Sequence, residues 1–245
     1  MSEKVKLSVW LTEKGYYPTR SQATNAIKDG KVRVNNRVIT KAGYEVRETD
    51  LVEIEKEEIE YVSRGGYKLE AALKTFGISL ENKVILDIGA STGGFTDCCL
   101  KNGARRVYAY DVGHDQLAEK LRNDPRVISK EGINARYLHK EDLPENIDFI
   151  CMDVSFISCT RIMGSIADIL PENGECVLLF KPQFEVGREH INNKGIVTDL
   201  NAVNASMEEA ITYAESMKLH YVDRIASPVK GQDGNQEYLL YFTKE

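Results

Sequence analysis

The chain has 245 residues, 42% hydrophobic and 29% charged, with a formal charge of −6. That length holds one large domain or a small one plus a medium one, and the balance is that of a globular chain, not a disordered or fibrous one. Apolar runs fall short of the ~20 residues that span a bilayer, Met1 to Lys6 predict no secretory leader, and five cysteines without a C-x-x-C pair argue against a disulfide framework or zinc site and for a reducing cytoplasm.

Charge is spread unevenly. Residues 1–47 carry ten Lys/Arg against four Asp/Glu, residues 48–60 carry seven acidic residues and only Lys56, and residues 61–245 carry 21 basic and 27 acidic ones. A basic head on an acidic body suits a nucleic-acid-binding module joined to something else, although a small domain that is basic by chance looks the same. Leu7, Trp10 and Leu11 predict a helix ending near Gly15, and Ala23, Ala26 and Ile27 a second one stopped by Gly30. Val32 and Val34 alternate with Lys31 and Arg33, and Asn35-Asn36 supplies the turn of a hairpin whose valines face inward. The acidic stretch Glu55 to Glu60 has no core pattern and marks a domain boundary.

Ser63-Arg64-Gly65-Gly66 then leads into a helix with Leu69, Ala72, Leu73 and Phe76 on its buried stripe and Lys68 at the border. From Lys83 the pattern becomes strands at 83–88, 106–111, 126–130, 147–153, 175–181, 219–226 and 238–243, mostly separated by helix-length segments. The clearest helix runs from Asp199 to Met217, with Leu200, Val203, Met207, Ala210, Ile211 and Ala214 on one face. Strands alternating with helices predict a parallel sheet covered on both sides. Val186 to Thr198, rich in Gly, Asn and charge, reads either as a mobile loop over a substrate or as an ordinary surface loop. The cysteines read as buried small hydrophobes. The histidines show no ligand spacing, and no metal is expected.

Val84 to Thr96 is a buried strand followed by a small-residue turn into a helix, where the backbone can approach a ligand closely. The second glycine of a dinucleotide G-x-G-x-x-G loop is replaced by Ser91, and Asp87 precedes the turn. A carboxylate there opposes a pyrophosphate and suits a ligand carrying an amino group and a sulfonium. Asp111, about twenty residues on at the next strand end, is placed to hold ribose hydroxyls. A structural turn without a ligand is the alternative.

Ligands in open α/β sheets bind beyond the carboxyl ends of the strands. One strand ends in Asp153 and another in Lys181 before Pro182. The last strand follows a short turn near Pro228–Gly234, so it is expected to run antiparallel and to begin at the same rim, at Glu237. Singly, Asp153 reads as a helix cap, Lys181 as a solvated strand end and Glu237 as an edge charge. Their convergence on one rim is what argues for a site.

These residues bring a resemblance into view. The segments SRGGYKL (63–69), LDIGASTGGFTD (86–97), YDVGHDQL (110–117), MDVSFIS (152–158), LFKPQFE (179–185) and GNQEYLL (234–240) are similar to the FtsJ-like ribose 2'-O-methyltransferases. The whole chain resembles the TlyA family of bacterial rRNA methyltransferases, often labelled hemolysins. TRSQATNAIKDGKVRVNN (19–36) resembles the S4-type RNA-binding module, with Asn36 where Gly is usual. The resemblance implies an α/β fold: a Rossmann-like class I methyltransferase domain over 61–245 with a seven-stranded, mostly parallel sheet, plus a small α+β RNA-binding domain over 1–60. It implies S-adenosylmethionine as cofactor and a catalytic set of Lys68, Asp153, Lys181 and Glu237. Cofactor contacts are expected from Asp87, Gly89, Ala90, Ser91, Thr92, Gly93, Gly94, Phe95, Asp111, Val112, Ile133, Asn134 and Asp153, the turn at 131–134 flanking the adenine. Arg20, Lys31, Arg33, Arg37 and Arg64 are expected to meet RNA, mainly at phosphates.

The expected activity is methyl transfer to a ribose 2'-hydroxyl, of cytidine by the resemblance, in ribosomal RNA or ribosomal subunits. Lys181 orients the hydroxyl or takes its proton. The expected setting is the cytoplasm, without stable membrane association and without DNA. Rival readings are a non-catalytic rRNA-binding assembly factor, a membrane-active hemolysin and a nicotinamide-dependent dehydrogenase.

Overall fold

The computed structural model describes residues 4–17, 19–54, 61–231 and 233–245, and it divides into two compact units, 1–59 and 60–245. The acidic boundary expected at 55–60 lies outside the described residues.

In the first unit, β1 (Val5–Lys6) leads into α1 (Leu7–Glu13), followed by α2 (Arg20–Lys28), β2 (Val32–Val34), β3 (Arg37–Val38), β4 (Glu45–Val46) and β5 (Val52–Ile54). Leu7, Leu11, Ala23, Ala26, Ile27, Val32 and Val34 pack into one small core, so both predicted helical stripes and the hairpin's inward valines are present. Asn35 (φ 49°) and Asn36 (φ 64°) both adopt the left-handed conformation of a tight hairpin turn, which asparagine tolerates. Sequence periodicity missed β5, which pairs with β2, and the β1–β4 ladder, because two or three residues are too few to show a period.

The second unit begins with α3 (Gly65–Phe76). It continues with β6 (Val84–Ile88), α4 (Gly94–Lys101), β7 (Arg106–Tyr110), the four-residue α5 (Glu119–Arg122), β8 (Val127–Lys130), β9 (Phe149–Met152) and α6 (Thr160–Ile169). It closes with β10 (Glu175–Phe180), α7 (Leu200–Ser216), β11 (Leu219–Ala226) and β12 (Tyr238–Lys244). The seven strands form one sheet in the order β11-β12-β10-β9-β6-β7-β8. From β10 to β8 every neighbouring pair is parallel, and β12 is antiparallel to both β10 and β11. All seven predicted strands and the reversed last strand are therefore present.

Side chains alternate across the sheet. Val84, Leu86 and Ile88 join the core beneath α6 and α7, whereas Ile85 joins the core beneath α3 and α4. Asp87 shares the parity of Ile85 and so turns toward α4. Helix α7 buries Val203, Met207, Ala210, Ile211 and Ala214 as predicted, but Leu200, its first residue, is exposed. Between β8 and β9 the described chain makes two short 3-10 turns, Ala135–Tyr137 and Lys140–Asp142, where a helix-length segment stood in the sequence.

Candidate active site at the carboxyl rim of the sheet

Strand order and register assemble the rim. The Phe180–Tyr238 pair is the last of the β10–β12 ladder, so Lys181 and Glu237 lie next to each other just beyond it. Asp153 follows β9, whose neighbours are β10 and β6, and its backbone N–H donates to the Ile88 carbonyl at 2.9 Å. Two cation–carboxylate pairs result. Lys181 Nζ lies 2.6 Å from Asp153 Oδ1 and donates to Ser155 Oγ at 2.8 Å. Lys68, brought in by α3, lies with its Nζ 2.5 Å from Glu237 Oε2. This second pair is buried, Glu237 being only 2% exposed. The turn before β12 covers it: a Cβ on Gly231 would stand 2.5 Å from Glu237 Oε1. Lys68 is thus inside the molecule, not at the border of its helix's apolar stripe.

The glycine-rich turn lies beside these pairs, at the ends of β6 and β7. Gly89 has φ 81°, and a Cβ there would stand 2.3 Å from the Asp153 carbonyl oxygen, so the turn can close on β9 only with glycine. Ser91, in place of a glycine, still adopts φ 48°. Two contacts offset that strain: its N–H donates to Asp111 Oδ2 at 2.7 Å and its hydroxyl meets Gln116 Oε1 at 3.1 Å. Asp111 Oδ1 accepts from Gly113 N at 2.7 Å.

The predicted cofactor contacts divide into two groups. Ser91, Thr92, Val112 and Asn134 are exposed, and Gly89, Asp111 and Ile133 are half-buried. Ala90, Gly93, Gly94 and Phe95 are buried, and Phe95 belongs to the core beneath α3 and α4. Gly93 and Gly94 face Leu121 and Ser63, so these residues shape the turn from behind. Asp87 is completely buried. Its Oδ2 accepts from Thr96 Oγ1 at 2.6 Å, and Oδ1 has no hydrogen-bond partner among the described residues. Burial pushes its pKa up to about 7, against the Thr96 hydrogen bond, with the Asp153 charge adding to the rise.

The loop from 186 to 198, read as either mobile or ordinary, is fastened at several points. Ile191 bridges Val197, Asn235 Oδ1 accepts from Val197 N at 2.9 Å, and Asn235 Nδ2 donates to the Gly195 carbonyl at 2.8 Å. His190 Nδ1 lies 3.0 Å from Asp199 Oδ2. In the N-terminal unit, Arg20, Arg33 and Arg37 are exposed and Lys31 is half-buried, while Arg64 is exposed at the start of α3.

The FtsJ-like methyltransferase family model matches residues 61–244, and the S4 domain model matches residues 5–52. The chain belongs to the FtsJ-like methyltransferase family. It is 45% identical to hemolysin A of Brachyspira hyodysenteriae over 97% of this chain and 99% of that one. To the 16S/23S rRNA (cytidine-2'-O)-methyltransferase TlyA of Mycobacterium tuberculosis it is 38% identical, over 98% of this chain and 90% of that one. A solved structure from Streptococcus thermophilus, provisionally described as a hemolysin, superposes with a TM-score of 0.79 at 40% identity, covering 100% of this chain and 90% of that one.

As a methyltransferase of this family the chain uses S-adenosylmethionine, and the residues present fit that donor. Val112, an exposed apolar side chain, follows Asp111, and Ile133 N donates to the Asp111 carbonyl at 2.9 Å. Two apolar side chains are thereby set beside a carboxylate, as a base and ribose require. Asp111 accepts one N–H on each oxygen and retains lone pairs for hydroxyls. Several residues of this methyltransferase's rim lie in segments that carry the resemblance but were given no role from the sequence. Ser155 touches Lys181. Phe156 is 90% exposed at φ 66°, a conformation costing about 1–3 kcal/mol for a bulky residue. Phe184 and Glu185 lie on the facing segment. An aromatic residue three positions after a strand-end acid, outside any apolar period, marks this segment in the sequence.

Proposed function

We propose that the chain transfers a methyl group from S-adenosylmethionine to the 2'-hydroxyl of a cytidine in ribosomal RNA. The observation that carries this reading is the meeting of two Lys–carboxylate pairs at one rim, beside a turn suited to an adenosyl ligand. The family, and the activity for which the Mycobacterium tuberculosis relative is named, support the substrate class. Bound S-adenosylmethionine supplies an electrophilic methyl carbon on a sulfonium. The chain's residues must orient a hydroxyl oxygen in line with it and direct the proton away. Lys181, partly open to solvent and held by Asp153 and Ser155, is the group that meets the hydroxyl. Lys68 and Glu237, locked together in the interior, fix the electrostatic floor beneath it. Holding two reactants in line can supply ~7–11 kcal/mol of the barrier in favourable cases. Phe156 offers an aromatic face for the base of the target nucleotide, because base–aromatic stacking needs an exposed, fixed ring.

The N-terminal unit, with Arg20, Lys31, Arg33 and Arg37, holds the RNA backbone, and Arg64 adds a contact at the start of α3. The domains of this reading are 1–60 for RNA binding and 61–245 for chemistry. The enzyme would work in the cytoplasm on ribosomal RNA or ribosomal subunits. The test is transfer of tritiated methyl to rRNA, with mapping of 2'-O-methyl positions, in the wild type and in Lys181→Ala. Wild-type transfer to cytidine 2'-oxygen, abolished in Lys181→Ala with donor affinity retained, is the expected result. Transfer to a base, or an inert wild type, refutes the assignment.

A further inference from the structure

The segments that carry Asp153 and Lys181 are joined at three levels. At the strand ends, Lys181 Nζ reaches Asp153 Oδ1 at 2.6 Å and Ser155 Oγ at 2.8 Å. Above them Phe184 packs on Phe156, ring centroids 5.2 Å apart. At the far end Glu185 Oε2 accepts from Ser158 Oγ and Oε1 accepts from Cys159 N, both at 2.7 Å.

The backbone of Glu185 lies one short turn from that of Lys181. A 3-10 turn ties the two together: Phe184 N donates to the Lys181 carbonyl and Glu185 N to the Pro182 carbonyl, each at 3.0 Å. Cys159 is the N-cap of α6, and its own side chain makes no capping hydrogen bond. The Glu185 carboxylate takes over that task from 26 residues away, where a negative group also suits the helix dipole. Burial raises the pKa of Glu185, and its bonds to Cys159 and Ser158 oppose the rise. The loop from 153 to 159 thus has two anchors: Asp153 N on the Ile88 carbonyl at its start and Glu185 at its end. Between them Phe156 stays at φ 66°, a conformation that persists only where the surroundings over-determine it.

We propose that Glu185 is a positioning residue for methyl transfer. Its carboxylate fastens the loop after β9 to the turn after β10 and so holds Asp153 and Ser155 against Lys181 Nζ. This rests on the assignment of Lys181 and Asp153 to the chemistry. Without the far anchor, Phe156 relaxes out of the left-handed region and takes Ser155 with it. The donor-binding turn at Gly89–Thr92 makes no hydrogen bond to Glu185 among the described residues, so donor affinity is spared.

The experiment compares full-length Glu185→Ala, Glu185→Gln and Ser158→Ala with the wild type. It measures kcat per donor-binding site on rRNA, and Kd for S-adenosylmethionine by calorimetry. Misplacement by about 1 Å can cost 100-fold, so Glu185→Ala is expected to lower kcat by about 10- to 100-fold with donor Kd within about twofold of the wild type. The Gln amide still accepts from Cys159 N and can donate to Ser158 Oγ, so Glu185→Gln is expected to recover most of the lost kcat. A merely structural role would reduce the number of donor-binding sites and leave kcat per site unchanged. Wild-type kcat per site in Glu185→Ala overturns the proposal, as does a Gln variant no better than Ala. Should Glu185→Ala fail to fold, Ser158→Ala decides, with a several-fold loss of kcat in support and wild-type kcat against. Lys181→Ala runs in parallel. Turnover surviving there refutes the catalytic assignment itself, whereas an inert Lys181→Ala beside a fully active Glu185→Ala refutes the positioning role alone.

Discussion

Replacing Lys68 by Met removes one half of an ion pair whose other half, Glu237, is almost entirely sealed from solvent. Loss of one partner of a buried pair costs about 3–5 kcal/mol, because the remaining charge keeps its desolvation penalty without compensation. For a domain of this size each kcal/mol moves Tm by about 2–4 °C, so the catalytic unit of Lys68→Met should melt about 6–20 °C lower. Removing both charges with apolar groups of similar volume is often neutral or stabilising by about 1–4 kcal/mol. Lys68→Met/Glu237→Leu should therefore melt near the wild type or above it. If the pair belongs to the catalytic set, the double variant stays inactive although it is stable again. Calorimetric melting without donor, together with methyl transfer from tritiated donor, measures both quantities. Two outcomes refute the reasoning: melting losses that simply add in the double variant, which denies the coupling, or a stable double variant with wild-type turnover, which leaves the pair a purely structural element.

Asp87→Asn should change how stability depends on pH. With a folded pKa of about 7 against an ordinary 3.8, folded Asp87 holds a proton that the unfolded chain releases. Its contribution is fully present below about pH 4 and is lost as pH rises through 7, by about 4 kcal/mol at most. The difference in unfolding free energy between wild type and Asp87→Asn should therefore drift against the wild type from pH 4 to 8. A constant difference in urea melts across that range contradicts the buried, protonated carboxyl. Phe156→Ala should lower Tm by only a few degrees, since the exposed ring gives up only its contact with Phe184, and lower turnover on rRNA by about 5- to 150-fold, as expected for about 1–3 kcal/mol of stacking. Equal turnover in the two proteins excludes the ring from base contact. If Arg20, Arg33 and Arg37 each neutralise one RNA phosphate, as proposed, each alanine variant should flatten the log–log salt dependence of RNA binding by about 0.7–0.9. Unchanged slopes in filter binding place the RNA elsewhere. No helix among the described residues is long and apolar enough to cross a membrane. Pure protein is expected to leave dye-loaded liposomes intact, and leakage would revive the hemolysin reading.

Much of this was legible in the sequence where physics acts over a long period or a strict local rule. The central strands β6, β9 and β10 announced themselves because buried parallel strands read as apolar runs, and the reversed β12 followed from the short turn before it. Asn35-Asn36 signalled its turn because few residues tolerate the left-handed conformation twice in succession. What stayed hidden was whatever depends on which face a side chain takes or on a partner far along the chain. Asp87 looked like a ligand contact beside the glycine turn. Its parity on β6 instead sends it toward Thr96 and α4, where burial is complete. Lys68 looked like a border residue because its partner lies 169 positions away. Ser155 and Glu185 acquire their roles only once β9 and β10 are neighbours.

The reversal of β12 explains why four separate segments converge. In a wholly parallel sheet each strand presents only its final residues to the rim, after which the chain departs into a helix. An antiparallel strand presents its first residues there, so Glu237 enters directly from the turn and lies beside Lys181 in the β10–β12 register. The same turn buries Glu237 under Gly231, and through Asn235 it fastens the loop at 195–197. Because successive residues on a strand face opposite sides, a slip of one residue in β12 would carry Glu237 away from Lys68 altogether. Six residue pairs from Glu175–Thr243 to Phe180–Tyr238 hold that register. Most of the side chains in this ladder are apolar and buried, so precision at the rim derives from burial in the core below it.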